Sequence, residues 1–169
     1  KAALETGVAA WIADETAATT TYGGINTWDV SGVTDMSYLF RSKTTFNSDI
    51  GGWNVGSVTT MQSMFQYADA FNQDLSGWDV SSVTNMQDMF QTMASFNGDV
   101  GAWNVSSVTI MWRMFTDCPV FNQDISGWDV SSVSNMQSMF RSTSFNQDIS
   151  AWDVSGVSKM EMLFAHNPV

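Results

Sequence analysis

Phe121–Phe140 reads FNQDISGWDVSSVSNMQSMF, and the motif starts again at Phe145 as FNQDISAWDVS. Trp28, Trp53, Trp78, Trp103, Trp128 and Trp152 stand 25, 25, 25, 25 and 24 residues apart, and the Met36-to-Met160 and Phe40-to-Phe164 columns keep the same intervals. Six units follow from these columns. The one missing residue falls in Arg141–Ser144, because Phe90 to Phe96 is six steps whereas Phe140 to Phe145 is five.

Inside a unit, Ile125, Trp128 and Val130 follow apolar-x-x-apolar-x-apolar spacing, and Trp-x-Val alternates like a short strand. Thr84 suits the cap of a brief helical or 3₁₀ turn that places Met86, Met89 and Phe90 on one face. Ser- and Gly-rich residues between them read as turns. These signs predict a repeat solenoid, leucine-rich-repeat-like, with one short parallel strand plus a short helical or 3₁₀ turn per 25-residue coil. A single coil buries too little apolar surface to offset the ordering of its backbone, so the coils need one another.

The ends differ from the middle. Leu4, Val8, Trp11 and Ile12 recur at helical spacing, which predicts an N-terminal capping helix and linker over residues 1–20, with the six-coil array over 21–169. LFAHNPV stops where another Phe-Asn start is due, so contact with further repeats or with another chain is expected at that end.

Six Lys and Arg against seventeen Asp and Glu give a net charge of −11. Such a surface repels nucleic acid and anionic membranes and favours cations or basic partners. No eighteen-residue apolar run is present, so no membrane insertion is expected. Cys118 and His166 are the sole members of their types, which leaves no multi-cysteine metal site and no Ser–His–Asp triad within the sequence.

At Phe121–Phe140 and its copies the sequence resembles the repeat of the BspA-like bacterial surface proteins, a lipoprotein-type repeat of about 26 residues counted among divergent leucine-rich repeats. The resemblance covers Tyr22–Phe164. It implies an extracellular or cell-surface location, a role in adhesion and interaction with a protein or glycan, and no catalytic residues. One departure stands out: Val33, Val58, Val83, Val108, Val133 and Val157 occupy the position where leucine-rich repeats carry their asparagine.

Three polar sets are candidates for function. Asn47, Asn72, Asn97, Asn122 and Asn146 form a column that suits an internal amide ladder. Asp49, Asp74, Asp99, Asp124 and Asp148 form a second column, suited either to capping backbone N–H groups in turns or to cation sites such as Ca²⁺. Neighbouring carboxylates at a coil spacing of about 4.8 Å repel by roughly 0.9 kcal/mol in water, so the column needs compensation. Asp29, Asn54, Asp79, Asn104, Asp129 and Asp153 lie between Trp and Val on the expected strand and should point outward, as a ligand-facing surface or a solvated one. Trp112 and Arg113 break a Ser/Gln-rich pattern and fit a binding hot spot, with local packing as the competing explanation. The reading is a non-enzymatic surface module with no cofactor. The alternative is carbohydrate or ice binding through the polar ladders, including Thr34, Thr59, Thr84, Thr109, Ser134 and Ser158.

Overall fold

A computed structural model describes residues 1–168. Helix α1 (Ala2–Ala13, AALETGVAAWIA) consists largely of strong helix formers and buries Gly7, Val8 and Trp11. It lies against the first repeat unit: a Cβ at Gly7 would stand 3.1 Å from the Trp28 ring, and the Trp11 Nε1–H donates to Ser48 Oγ at 2.9 Å. Asp14 ends α1 and caps α2 (Glu15–Tyr22), its carboxylate accepting the Ala17 N–H at 2.9 Å. Residues 15–20, expected as linker, are therefore helical, and Gly23 at φ 77° closes α2.

From Ile25 onward the chain is a succession of tight turns, most of which have two apolar ends. In the second and third units, Met64 N–H bonds Met61 O, Ala68 N–H bonds Phe65 O, Phe71 N–H bonds Ala68 O, Trp78 N–H bonds Leu75 O and Val83 N–H bonds Val80 O, all at 2.9–3.1 Å. A β-turn brings residues i and i+3 side by side and projects its two central residues away. The apolar-x-x-apolar spacing is thus the signature of a turn whose ends face the core, and the centres, such as Ser76-Gly77 and Ser81-Ser82, are residues that turns favour.

Neighbouring units are joined by a ribbon that runs from the first methionine of each unit. Met61, Ser63, Phe65 and Tyr67 donate their N–H groups to the carbonyls of Asn85, Gln87, Met89 and Gln91 at 2.8–3.0 Å, and the same pattern returns in every later pair. Each unit sustains this with two non-glycine residues in the left-handed region, from Tyr38 (φ 66°) and Ser42 (φ 60°) to Met162 (φ 60°) and His166 (φ 64°). Every second N–H of the ribbon points toward the following unit and the accepting carbonyls point toward the preceding one, so the ribbon is polar along the stack.

The expected leucine-rich-repeat-like solenoid, with a parallel strand and a helical or 3₁₀ turn in every coil, is therefore corrected. Among the described residues the elements are α1, α2 and a 3₁₀ turn at Ile25–Thr27, with no strand; parallel pairing is confined to single-residue bridges such as Thr60↔Asn85 and Asn85↔Ile110. The reason lies in the backbone groups on either side of Trp-x-Val. Trp78 N–H is committed to Leu75 O and Val80 O to Val83 N–H, both local, so no ladder extends through them. Met86–Phe90 forms no helical turn because Met86, Asp88 and Phe90 send their N–H groups to the next unit rather than back along the chain.

Aromatic columns fill the interior. Phe65 stacks on Phe40 at 5.4 Å and on Phe90 at 5.7 Å, and Trp78 on Trp103 at 6.5 Å. The buried indoles are satisfied by carbonyls of the preceding unit: Trp78 Nε1–H donates to Ile50 O and Trp103 Nε1–H to Leu75 O. The shortened fifth unit keeps this core because Thr143, itself buried, donates its hydroxyl to Phe140 O and accepts the Phe145 N–H in place of a turn.

Candidate functional site

Both aspartate columns are exposed and both cap turns. In the first, Asp49, Asp74, Asp99, Asp124 and Asp148 accept the N–H of Gly51, Ser76, Gly101, Ser126 and Ser150 at 2.8–2.9 Å. In the second, Asp29, Asn54, Asp79, Asn104, Asp129 and Asp153 accept the N–H of Ser31, Gly56, Ser81, Ser106, Ser131 and Ser155 at 3.0–3.2 Å. The second column was placed on a strand by its alternation; it stands instead at turn starts, where the side-chain oxygen closes an Asx-turn.

Capping sets the charge. The hydroxyl and then the N–H of the serine two residues on hold Asp29, Asp79, Asp129 and Asp153 below the usual carboxylate range. For Asp74, Asp124 and Asp148 the N–H leads and the hydroxyl follows. Repulsion from Asp148 on Asp124 and from Asp153 on Asp129 opposes this lowering without reversing it. Asn54 and Asn104 make the same cap without charge, so the second column alternates charged and neutral until Asp129 and Asp153 meet as neighbours.

The asparagine column, expected inside, runs along the surface. Asn47 Oδ1 accepts the Asn72 N–H, Asn72 Oδ1 that of Asn97, Asn97 Oδ1 that of Asn122 and Asn122 Oδ1 that of Asn146, at 2.9–3.0 Å. The amides thus tie unit to unit beside the aspartates. Close approach there requires glycine: a Cβ at Gly51 would lie 2.6 Å from Asp74 O, and one at Gly101 2.4 Å from Asp124 O.

Trp112 and Arg113, expected as a binding hot spot with local packing as the competing explanation, are half-buried. The guanidinium lies 4.0 Å from the Trp112 ring centroid and grips Asp88 of the preceding unit, Nε to Oδ1 at 2.8 Å and Nη2 to Oδ2 at 3.2 Å. Asp88, a buried acid that escaped the sequence reading, was detectable as the opposite charge one 25-residue period before Arg113. Arg113 thereby neutralises a carboxylate within the stack.

The other polar groups are also engaged. Thr59, Thr84, Thr109, Ser134 and Ser158 each donate the side-chain hydroxyl to a carbonyl of the preceding unit at 3.0–3.2 Å. Five of the six column tryptophans are buried, Trp28 being half-buried, so the rings serve as core. Cys118 is fully buried, its Sγ–H donates to Phe90 O, and burial pushes the thiol up to about 12. No group of three or more His, Cys, Asp or Glu able to hold a metal ion occurs among the described residues, and no described helix is long and apolar enough to cross a membrane.

Comparisons with curated proteins and with solved structures gave no match. One family model does match, described as Mycoplasma protein of unknown function, DUF285, and it matches twice, over residues 12–124 and 76–168. The two matches overlap inside the array and together extend from the end of α1 to the last unit, so the chain belongs to this family of repeat proteins.

Proposed function

We propose that the protein is a non-enzymatic interaction module at the cell surface, in which a rigid stack presents parallel columns of ionised aspartate to a basic protein surface. The observation that carries this reading is the pairing of exposure with fixed orientation. Each carboxylate is held by one oxygen in a turn, which leaves the other directed to solvent at every unit or every second unit. Orientation by the cap lowers the entropy lost on binding, and repetition adds avidity. The resemblance of the repeat to BspA-like surface proteins supports the same reading, as does the net charge of −11.

The test separates charge from fold. Asn54 and Asn104 already cap as asparagine, so D79N/D129N/D153N should keep the melting temperature while weakening binding to a lysine-rich probe such as poly-L-lysine. Binding should also fall as salt rises. Unchanged affinity in the triple variant would remove the aspartate column from the reading. Protease treatment of intact source cells, followed by detection of the protein, checks the surface location; full protection from the protease would contradict it.

A further inference from the structure

Trp28 packs unlike the column tryptophans that follow it. Trp53, Trp78, Trp103 and Trp128 are each 3% exposed and give their indole N–H to a carbonyl of the preceding unit. Trp28 is half-buried and turns its N–H back to Gly23 O at 3.2 Å. Trp53 stacks on it at 6.4 Å, and among the described residues no second ring does: Trp11 and Tyr22 stand at 89° and 69° to its plane. Helix α1 meets the indole at Gly7, which has no side chain to cover it. A cleft of about 380 Å³ remains there between α1 and the first unit, within the roughly 300–1,000 Å³ of small-ligand sites.

The walls of this cleft combine apolar surface with a free acceptor and a cation. Leu4, Trp28 and the exposed Tyr22 supply the apolar part. Asp29 uses Oδ1 for the N–H and the hydroxyl of Ser31, at 3.0 and 2.6 Å, and its Oδ2 has no hydrogen bond among the described residues. Lys1 Nζ pairs with Asp35 at 2.9 Å, and an ammonium with three donors keeps others for a ligand. Together these groups select what can enter. An anion meets Asp29, and a cation meets Lys1. A neutral polyhydroxylated ring uses both, since its hydroxyls donate to the carboxylate and accept from the ammonium while its C–H face lies on aromatic surface. We propose that the cleft between α1 and the first unit binds a pyranose of a neutral glycan, with Trp28 and Tyr22 against the sugar ring and Asp29 and Lys1 on its hydroxyls. Asp29 belongs to the second aspartate column as well, but here it acts within one unit and on an uncharged ligand.

The test titrates the chain with the methyl pyranosides of glucose, galactose, mannose and N-acetylglucosamine while NMR follows the indole N–H resonances. A saturable shift of Trp28 is expected with at least one of them, and none at Trp78 or Trp103, which are buried in the stack. D29N keeps the turn cap, as Asn54 and Asn104 do, and should weaken binding about fivefold; Y22A, which removes one ring, should do the same. Thermal scans establish that both variants fold. Glucuronate and glucosamine, with the same ring and opposite charges, should bind more weakly than the neutral glucoside. Absence of a saturable Trp28 shift with all four neutral sugars overturns the proposal. Tighter binding of either charged sugar, or affinity unchanged in both D29N and Y22A, overturns it as well.

Discussion

Asp79 and Ser42 show how single residues define this backbone. The Asp79 carboxylate closes a turn through Ser81 N–H, a task that asparagine performs equally and alanine does not. D79N should therefore leave the melting temperature unchanged, and D79A should lower it by a few degrees in a thermal scan. Ser42 is exposed and left-handed at φ 60°, and its N–H is bonded to Gln66 O. A β-branched residue there meets a steric penalty of about 1–2 kcal/mol, which glycine avoids at the cost of a more flexible unfolded chain. Denaturant titration should find S42G neutral to about 1 kcal/mol more stable and S42V destabilised by about 1–2 kcal/mol.

At the level of the element, turns such as Leu75–Trp78 and Val80–Val83 place two apolar ends on the core and each ribbon joins only adjacent units, so position in the stack decides what a side chain contributes. Phe90 touches Phe65, Phe96, Trp103 and Phe115 in stacked geometry and is fully buried. F90A should cost about 3–5 kcal/mol in chemical unfolding. The chemically identical F164A removes a ring stacked on Phe140 alone and 45% exposed, and it should cost no more than about half as much. Equal losses at the two sites would mean that the end unit is as fully packed as the middle.

Across the whole molecule, the turn-capping aspartates and the net charge of −11 make stability depend on pH and salt. Seven capping aspartates, including Asp29, Asp74 and Asp129, lie below their ordinary value in the folded chain. Their stabilisation is present above the unfolded carboxylate pKa of about 4 and is lost as pH falls through the lower folded values. Thermal scans should find stability falling below about pH 4. At pH 7, added sodium chloride should raise the melting temperature by screening repulsion between the columns. A melting temperature that rose steadily down to pH 3 would show that repulsion among carboxylates, rather than capping, dominates.

Period, unit number and the core members of the inner units were legible in the sequence, because a residue buried in one inner unit is buried in the next and the spacing repeats that demand. Phe40, Met61, Trp78 and Val105 are buried. The path of the backbone was not legible. Apolar-x-x-apolar describes the end of a helical turn and the ends of a β-turn equally well, and Trp-x-Val alternates whether or not its N–H groups reach a neighbour. Where each N–H finds its acceptor, within the turn as for Trp78 or in the next unit as for Asp88, is a contact between chain segments. Tertiary structure alone chose turns and a polar ribbon over strands, placed the asparagine column on the surface, and joined Arg113 to Asp88. The sequence by itself determined which side chains of the inner units must be inside; stacking decided where the ribbon's hydrogen bonds go, because no single unit contains both the donors and the acceptors of the ribbon.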